Sequence, residues 1–257
     1  MSRVLTLATL AVLLAAPALG QEVTLDLGGD NTLSLRSVQL LLLITVLSIV
    51  PGLAVMVTCF PFIVTVLSIL RQAIGLQQAP PNMLIISLAL FLTWYIMDPV
   101  FTEAWVTGIG PMTEGRMEVG PALQAAIQPF RVFMAARVDA ETFLVLQDLR
   151  AASAAVPPAG LSSDLSTGLP IVTGPAEAPL SILMPSFLLS EIQRAFEIGF
   201  MIFLPFLIID LVVAAILMSM GMMMVPPAVV SLPFKLAFFV VADGWALISG
   251  ALVRSYL

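Results

Sequence analysis

Hydrophobic residues form two long blocks in this chain, and a more polar region separates them. The first block begins with residues 38–70, an apolar run interrupted by Pro51-Gly52 and Pro61. The run is longer than the roughly 20 residues of one membrane helix. It predicts either one long helix kinked at the prolines or two shorter helices. Residues 83–97 predict the next apolar helix. We expect it to end at Asp98-Pro99, because proline disfavours helical backbone in the residue before it.

The second block, residues 179–257, predicts a helical hairpin. We expect its first helix to open at Pro185 and to run to residue 220, and its second helix to cover residues 229–248. With a first hairpin over residues 38–102, this predicts an all-α, membrane-associated protein of kinked helical hairpins.

A turn of unusual composition joins the two predicted helices of the second block. Gly221 and Pro226-Pro227 are the turn residues, since glycine adopts left-handed backbone and proline does not continue a helix. Three successive methionines lie between them: Met222, Met223 and Met224. Methionine is flexible and polarisable, so it adapts to changing shapes. From the residues alone, a buried apolar turn is favoured over a deformable seal.

The region between the blocks, residues 103–178, carries 12 of the 26 charged residues of the chain and predicts a small extracytoplasmic helical region. Its apolar residues recur at helical spacing on both sides of Asp139: Phe130, Phe133, Met134, Phe143, Leu144, Leu146 and Leu149. This pattern predicts two amphipathic helices that flank Asp139 and pack as a small cap. Residues 151–179 predict an extended connection.

Residues 1–20 have the pattern of a secretory signal peptide. Arg3 precedes an apolar core over residues 4–16, and Ala18-Leu19-Gly20 offers a cleavage site of small residues. Cleavage is favoured over an uncleaved anchor, because the apolar core is short for a membrane span. Residues 21–37 then predict an exposed extracytoplasmic tail. This orientation places residues 71–82 and the methionine turn on the cytoplasmic side, opposite residues 103–178.

The composition supports a membrane protein and excludes several kinds of chemistry. Of the 257 residues, 60% are hydrophobic and 10% are charged, and the mean hydropathy is +1.09; soluble domains average about 25% charged residues. With no histidine and one cysteine, Cys59, we expect no metal site, no cofactor and no catalytic residue, hence no enzyme. The net charge of −6 disfavours a nucleic-acid partner.

Several charged residues lie within or beside the apolar blocks. An ionised side chain at mid-membrane costs about 2.5–3.5 kcal/mol and usually faces protein or water. Lys235 is the one lysine of the chain, and its candidate partners are Glu191, Glu197 and Asp210, within the hairpin or across a subunit contact. Arg194 is three residues from each glutamate and is placed to pair with them. A structural ion pair that fixes assembly geometry is favoured over a proton relay.

Six stretches of the sequence resemble the FliP family of flagellar biosynthesis proteins. They are residues 67–75, 77–82, 200–212, 221–227, 232–236 and 243–245. The first reads Leu-Ser-Ile-Leu-Arg-Gln-Ala-Ile-Gly, and the fourth is the methionine turn with its flanking glycine and prolines. The resemblance covers residues 38–102 and 180–257, and the signal peptide fits it, whereas residues 103–178 resemble the family less.

The resemblance implies a core subunit of the flagellar type III protein export gate. Such subunits are expected in the bacterial inner membrane, at the flagellar basal body, as a ring of about five copies joined by FliQ and FliR subunits. The implied ring-like helical pore passes unfolded rod, hook and filament subunits, with lipid and other export-apparatus proteins around it. The implied role of the methionine turn is a pore gasket, because hydrophobic constrictions gate by excluding water.

Two alternatives remain beside this interpretation. The virulence-type injectisome contains a similar export-gate subunit, although the sequence stretches look more flagellar. A small-solute or ion transporter is the less favoured alternative, because it would need a membrane-embedded polar site and usually an internal repeat.

Overall fold

The computed structural model describes residues 33–75, 80–155, 174–222 and 224–256. The predicted signal peptide lies outside these ranges, as do Met223 and most of both the predicted tail and the predicted connection. Every regular element in the described ranges is a helix, which confirms the predicted all-α class. The chain divides into two compact units after Val46, and the packing described below lies within residues 47–257.

The first apolar block forms three helices. They are α1 (Leu33–Met56), α2 (Phe60–Ile74) and α3 (Asn82–Ala104). Residues 38–70 therefore form two separate helices and not one long kinked helix. The break falls at residues 57–59 and not at Pro51, which lies inside α1. Pro61 stands in the first turn of α2, where a missing backbone N–H leaves no helical hydrogen bond unmade.

The prediction that α3 ends at Asp98-Pro99 is wrong. The helix continues through Pro99 to Ala104 and then as a π-helical turn, Trp105–Ile109, and a short helix α4, Gly110–Thr113. Proline removes one backbone hydrogen bond but permits a helix to continue when neighbouring helices support it. Here α3 packs against both α2 and α5 (Val119–Arg137).

The polar region contains the two helices predicted on either side of Asp139. They are α5 and α6 (Ala140–Ala155), so this prediction is confirmed. Met134 of α5 and Phe143 of α6 are buried in a small cluster with Phe187 of the following helix. The region is therefore packed directly onto the second apolar block.

The second block forms a hairpin with one more break than predicted. Its helices are α7 (Leu180–Ser219), α8 (Pro227–Val241) and α9 (Gly244–Arg254). The helix α7 begins before Pro185, which lies in its interior together with Pro205. The prediction of a single second helix over residues 229–248 is wrong, because two helices, α8 and α9, cover this stretch and meet at a break with a bend of 61° between them. Asp243 adopts left-handed backbone there, with φ 48°.

The core is organised around α2, which packs against α3 and α7. Seven side chains of α2 are buried: Phe62, Ile63, Val66, Leu67, Leu70, Ala73 and Ile74. They contact buried residues of α3, such as Met97, and of α7, such as Ala195. Thus α2 is too short for a membrane span but forms the centre on which the long helices pack.

Two described stretches are long and apolar enough to cross a membrane, Asn82–Thr113 and Leu180–Ser219. The bent pair α8 and α9 makes a third if it is one span. The 40 residues of α7 correspond to about 60 Å of helix, or twice the thickness of a bilayer core. Only 11% of the apolar stretch in α7 is buried within the chain, so most of its surface is open to lipid or to other proteins.

Candidate functional site: the methionine turn and two buried ion pairs

The turn between α7 and α8 begins with a Schellman motif. The N–H of Met222 donates to the carbonyl of Leu217 at 3.0 Å, and the N–H of Gly221 donates to that of Met218 at 3.1 Å. These two bonds satisfy carbonyls that the end of a helix leaves unpaired. Gly221 has φ 75°, a conformation that residues with a Cβ rarely adopt. This glycine therefore fixes where α7 stops and how the chain reverses.

Two prolines set the other end of the turn. Pro226 is the extended N-cap residue of α8, and Pro227 is its first helical residue. The fixed φ of proline suits the first helical position, where its missing N–H costs nothing. The turn is thus held at both ends by backbone geometry that does not involve the side chains of Met222 and Met224.

The methionines that the structure describes in this turn are accessible. Met224 is 97% exposed and Met222 is 38% exposed, while Met223 lies outside the described residues. Because Met224 is exposed, a buried apolar turn does not describe the isolated chain.

Met222 also lines an apolar groove of about 520 Å³ between α7 and α8. The groove is lined by ten side chains: Ile208, Ile209, Val212, Val213, Ile216, Leu217, Met220, Met222, Val230 and Phe234. All ten are aliphatic, thioether or aromatic. The hairpin therefore presents a continuous apolar surface that runs up to the turn.

Lys235 joins three helices through its ammonium group. The Nζ atom lies 2.6 Å from Asp210 Oδ2 and donates to the carbonyl of Ala73, near the end of α2, at 3.0 Å. Ser231 donates to the other carboxylate oxygen of Asp210 at 2.6 Å. Lys235 is 5% exposed, so this network compensates a buried charge that would otherwise be costly. Of the three acids left open as its partners, Asp210 is the one in contact.

Glu191 does not contact Lys235 and forms a second buried network. Its side chain is fully buried and accepts a hydrogen bond from Arg137 Nε at 3.0 Å and another from the hydroxyl of Tyr256. Arg137 also donates to the carbonyl of Ser255 at 2.7 Å, and its guanidinium lies 3.9 Å from the centre of the Tyr256 ring. These contacts join the end of α5 to α7 and to the residues after α9.

Burial, followed by the nearby charge of Glu191, raises the pKa of Tyr256, so this hydroxyl remains a donor at ordinary pH. Among the described residues, Arg137 Nη2 is the one buried side-chain nitrogen or oxygen without a hydrogen-bond partner. Neither Arg137 nor Tyr256 is among the residues that the sequence predicts for an ion-pair network. The available signal was the position of Arg137 at the carboxyl end of an amphipathic helix, where a cation is favourable.

The remaining predicted charges are not brought into ion pairs. Arg194 is half-buried and forms no ion pair within the described ranges; its charge contributes to lowering the pKa of Asp139. Glu197 is exposed and accepts a hydrogen bond from Gln193 at 3.3 Å. Within the described part of the chain, no three His, Cys, Asp or Glu residues are grouped so that they could hold a metal ion.

The apolar helices define a helical membrane protein. Its two ion-pair networks join α2, α7 and α8 in one case, and α5, α7 and the residues after α9 in the other. The model of the FliP family matches residues 43–252. A Caulobacter vibrioides protein is 46% identical over 96% of this chain and 86% of its own length. An Agrobacterium fabrum protein is 42% identical over 97% of this chain and 98% of its own length. A Bacillus subtilis protein is 41% identical over 86% of this chain and 92% of its own length. All three are called flagellar biosynthetic protein FliP. The chain belongs to the FliP family.

Proposed function

We propose that the protein is a core subunit of the flagellar type III export gate, and that it forms part of the pore through which unfolded flagellar subunits leave the cytoplasm. The observation that carries this proposal is the family match over residues 43–252, together with full-length relatives called flagellar biosynthetic proteins. Their shared name favours the flagellar role over an injectisome subunit or a small-solute transporter.

The methionine turn is the proposed gasket of this pore. Gly221, Pro226 and Pro227 fix the path of the backbone, and the exposed thioether of Met224 is free to contact other molecules. Several copies meeting at one axis would bring Met222, Met223 and Met224 together into an apolar constriction. Such a constriction excludes water and ions, and flexible thioethers conform to chains of differing sequence.

The proposal assigns the protein to the bacterial inner membrane, within the flagellar basal body. The predicted partners are further copies of the chain, about five in a closed ring, with FliQ and FliR subunits, other export-apparatus membrane proteins and lipid around them. The signal peptide of residues 1–20 and an extracytoplasmic position for residues 103–178 belong to the same proposal. The pairs Lys235–Asp210 and Arg137–Glu191 then hold each subunit in the shape that assembly needs, and no residue is assigned a catalytic role.

Deletion of the gene in its own bacterium tests the proposal. We expect loss of swimming and of hook and filament protein from the culture medium, with both restored by the wild-type gene on a plasmid. Continued secretion of filament protein without the gene would contradict the flagellar role. If secretion of virulence effectors were lost instead, the injectisome alternative would be the correct one.

A gene that lacks the codons for residues 222–224 tests the gasket separately. Membrane vesicles that contain the complex with this deletion should leak small ions, whereas vesicles with the wild-type complex should not. An unchanged leak rate would reject the gasket and leave the family role intact.

A further inference from the structure

Met224 is the most exposed large apolar side chain in the described part of the chain, at 97%. It lies in the turn, outside the candidate spans that end at Ser219 and begin at Pro227. Lipid is therefore not positioned to cover it in the way that it covers the surface of a span. The Schellman bonds hold the backbone of the turn without using this side chain, so nothing in the fold draws the thioether inward.

The other described methionines provide an internal comparison. Met97 is fully buried and Met134 is 2% exposed. Met201 and Met218 are 69% and 60% exposed, but both lie within the candidate span of α7. Met56, Met220 and Met222 lie outside the candidate spans and are 47%, 64% and 38% exposed, so Met224 is the most exposed of the methionines outside the spans whose exposure the structure gives.

We propose that Met224 is a site of reversible oxidation by hydrogen peroxide, and that its oxidation opens the gasket. The proposal rests on the gasket role proposed above. The thioether sulfur loses two electrons and gains one oxygen atom from the peroxide. The peroxide O–O bond breaks, and its second oxygen leaves as water with both protons. The product is methionine sulfoxide, which methionine sulfoxide reductases return to the thioether.

The expected consequence follows from the polarity of the sulfoxide. A thioether is a weak acceptor that leaves a constriction dry, whereas a sulfoxide oxygen accepts strong hydrogen bonds from water. A ring that carries several sulfoxides at its narrowest point would become hydrated, and a hydrated constriction conducts ions. An oxidant would thus make the membrane leak at the export gate.

The first test measures where oxidation occurs. The complex is extracted in mild detergent and exposed briefly to dilute hydrogen peroxide, and sulfoxide is quantified at each methionine by peptide mass spectrometry. We expect at least about tenfold more sulfoxide at Met224 than at Met97 or Met134, because a buried sulfur reacts only after local opening. If Met224 carries no more sulfoxide than Met97 and Met134, the proposal is overturned. This includes the case in which contacts within the complex cover the Met224 side chain.

The second test measures the leak in vesicles that hold the complex. Each variant is compared with itself before and after peroxide, so altered basal behaviour does not enter the comparison. Wild type should leak several-fold more after peroxide. Met83→Leu is the matched control and should respond as wild type does, because Met83 is also exposed, at 75%, but lies at the start of α3 and not in the turn. Met224→Leu should show little change, and a sulfoxide reductase should reverse the wild-type leak.

The deletion of residues 222–224 separates the two proposals. If this deletion leaks and peroxide-treated wild type does not, the oxidation proposal is wrong and the gasket stands. If neither leaks, the gasket itself is wrong. If Met224→Leu responds to peroxide as strongly as wild type, the leak arises elsewhere and Met224 is not the responsible site.

Discussion

Lys235 and Asp210 form an ion pair between α8 and α7, with 2.6 Å between the ammonium nitrogen and the nearer carboxylate oxygen. The same ammonium donates to the carbonyl of Ala73 in α2. One buried cation therefore ties the hairpin that carries the methionine turn to the central helix of the core. The pair therefore helps to position the hairpin that carries the turn.

Loss of either partner should destabilise the protein. Asp210→Ala should cost about 3 kcal/mol, because it leaves the buried charge of Lys235 without its carboxylate partner. Lys235→Ala should cost less, because the Asp210 side chain is 31% exposed and still accepts a hydrogen bond from Ser231. The double change should cost clearly less than the sum of the single changes. Unfolding of the purified protein in detergent measures these differences, with Asp98→Ala at an exposed site of α3 as the control. Strictly additive effects would show that the two side chains do not interact.

Gly108 marks a close approach that tolerates no side chain. A Cβ there would lie 2.5 Å from the carbonyl oxygen of Ala122 and 2.6 Å from the backbone nitrogen of Ala126. Gly108→Ala should therefore push the π-helical turn away from α5 and cost about 2–3 kcal/mol in thermal unfolding. Gly120→Ala is the matched control, since no atom lies within 4 Å of its added Cβ, and it should be neutral or slightly stabilising. Equal effects of the two changes would refute this packing.

Asp139 should make stability depend on acid pH. The backbone N–H and the hydroxyl of Thr142 donate to its carboxylate at 2.9 and 3.0 Å, which lowers its pKa from the usual 3.8. A lowered pKa contributes stability that is fully present above the unfolded-state value near 3.8 and is lost as pH falls through the folded-state value. The stability difference between wild type and Asp139→Asn should shrink over that acid range. A difference that stays constant down to the lowest pH would rule out this contribution.

The proposed meeting of the turns can be examined by cross-linking. Cys59 is the single cysteine of the chain and is buried, so Cys59→Ser gives a background without thiols. With Met224→Cys added, mild oxidation of membranes should produce disulfide-linked chain dimers, because two such thiols must come within about 7 Å between Cα atoms to bond. Gly120→Cys in α5 serves as the comparison site. No dimer at position 224 under conditions that oxidise free thiols would mean that the turns do not meet.

The sequence predicted the helices well where apolar periodicity decides them. The amphipathic pair around Asp139 and the hairpin on either side of Gly221 are both present. Proline positions predicted the ends of the helices poorly. Pro99 does not end α3, and Pro185 does not begin α7, because packing against neighbouring helices outweighs one lost hydrogen bond. The break between α8 and α9 lies at Asp243-Gly244, an Asp-Gly pair typical of turns, which the prediction of one helix over residues 229–248 did not take into account.

The ion pairs show what a linear sequence leaves undetermined. The sequence leaves three acids as candidate partners of Lys235. The pairing with Asp210 instead of Glu191 depends on the tertiary arrangement of α2, α7 and α8. Arg137 pairs with Glu191 across 54 positions of the chain, and Tyr256 completes that network across 65. No local spacing rule connects residues so far apart, so only the tertiary arrangement assigns them.

Native mass spectrometry of the complex, extracted from the membranes of its own bacterium, shows whether several copies of this chain assemble around one axis. We expect a stable assembly of about five copies of the chain with smaller partner subunits attached. A chain that appears only as a monomer or dimer, under conditions that keep other membrane assemblies intact, would rule out the proposed pore, because a single methionine turn cannot close one.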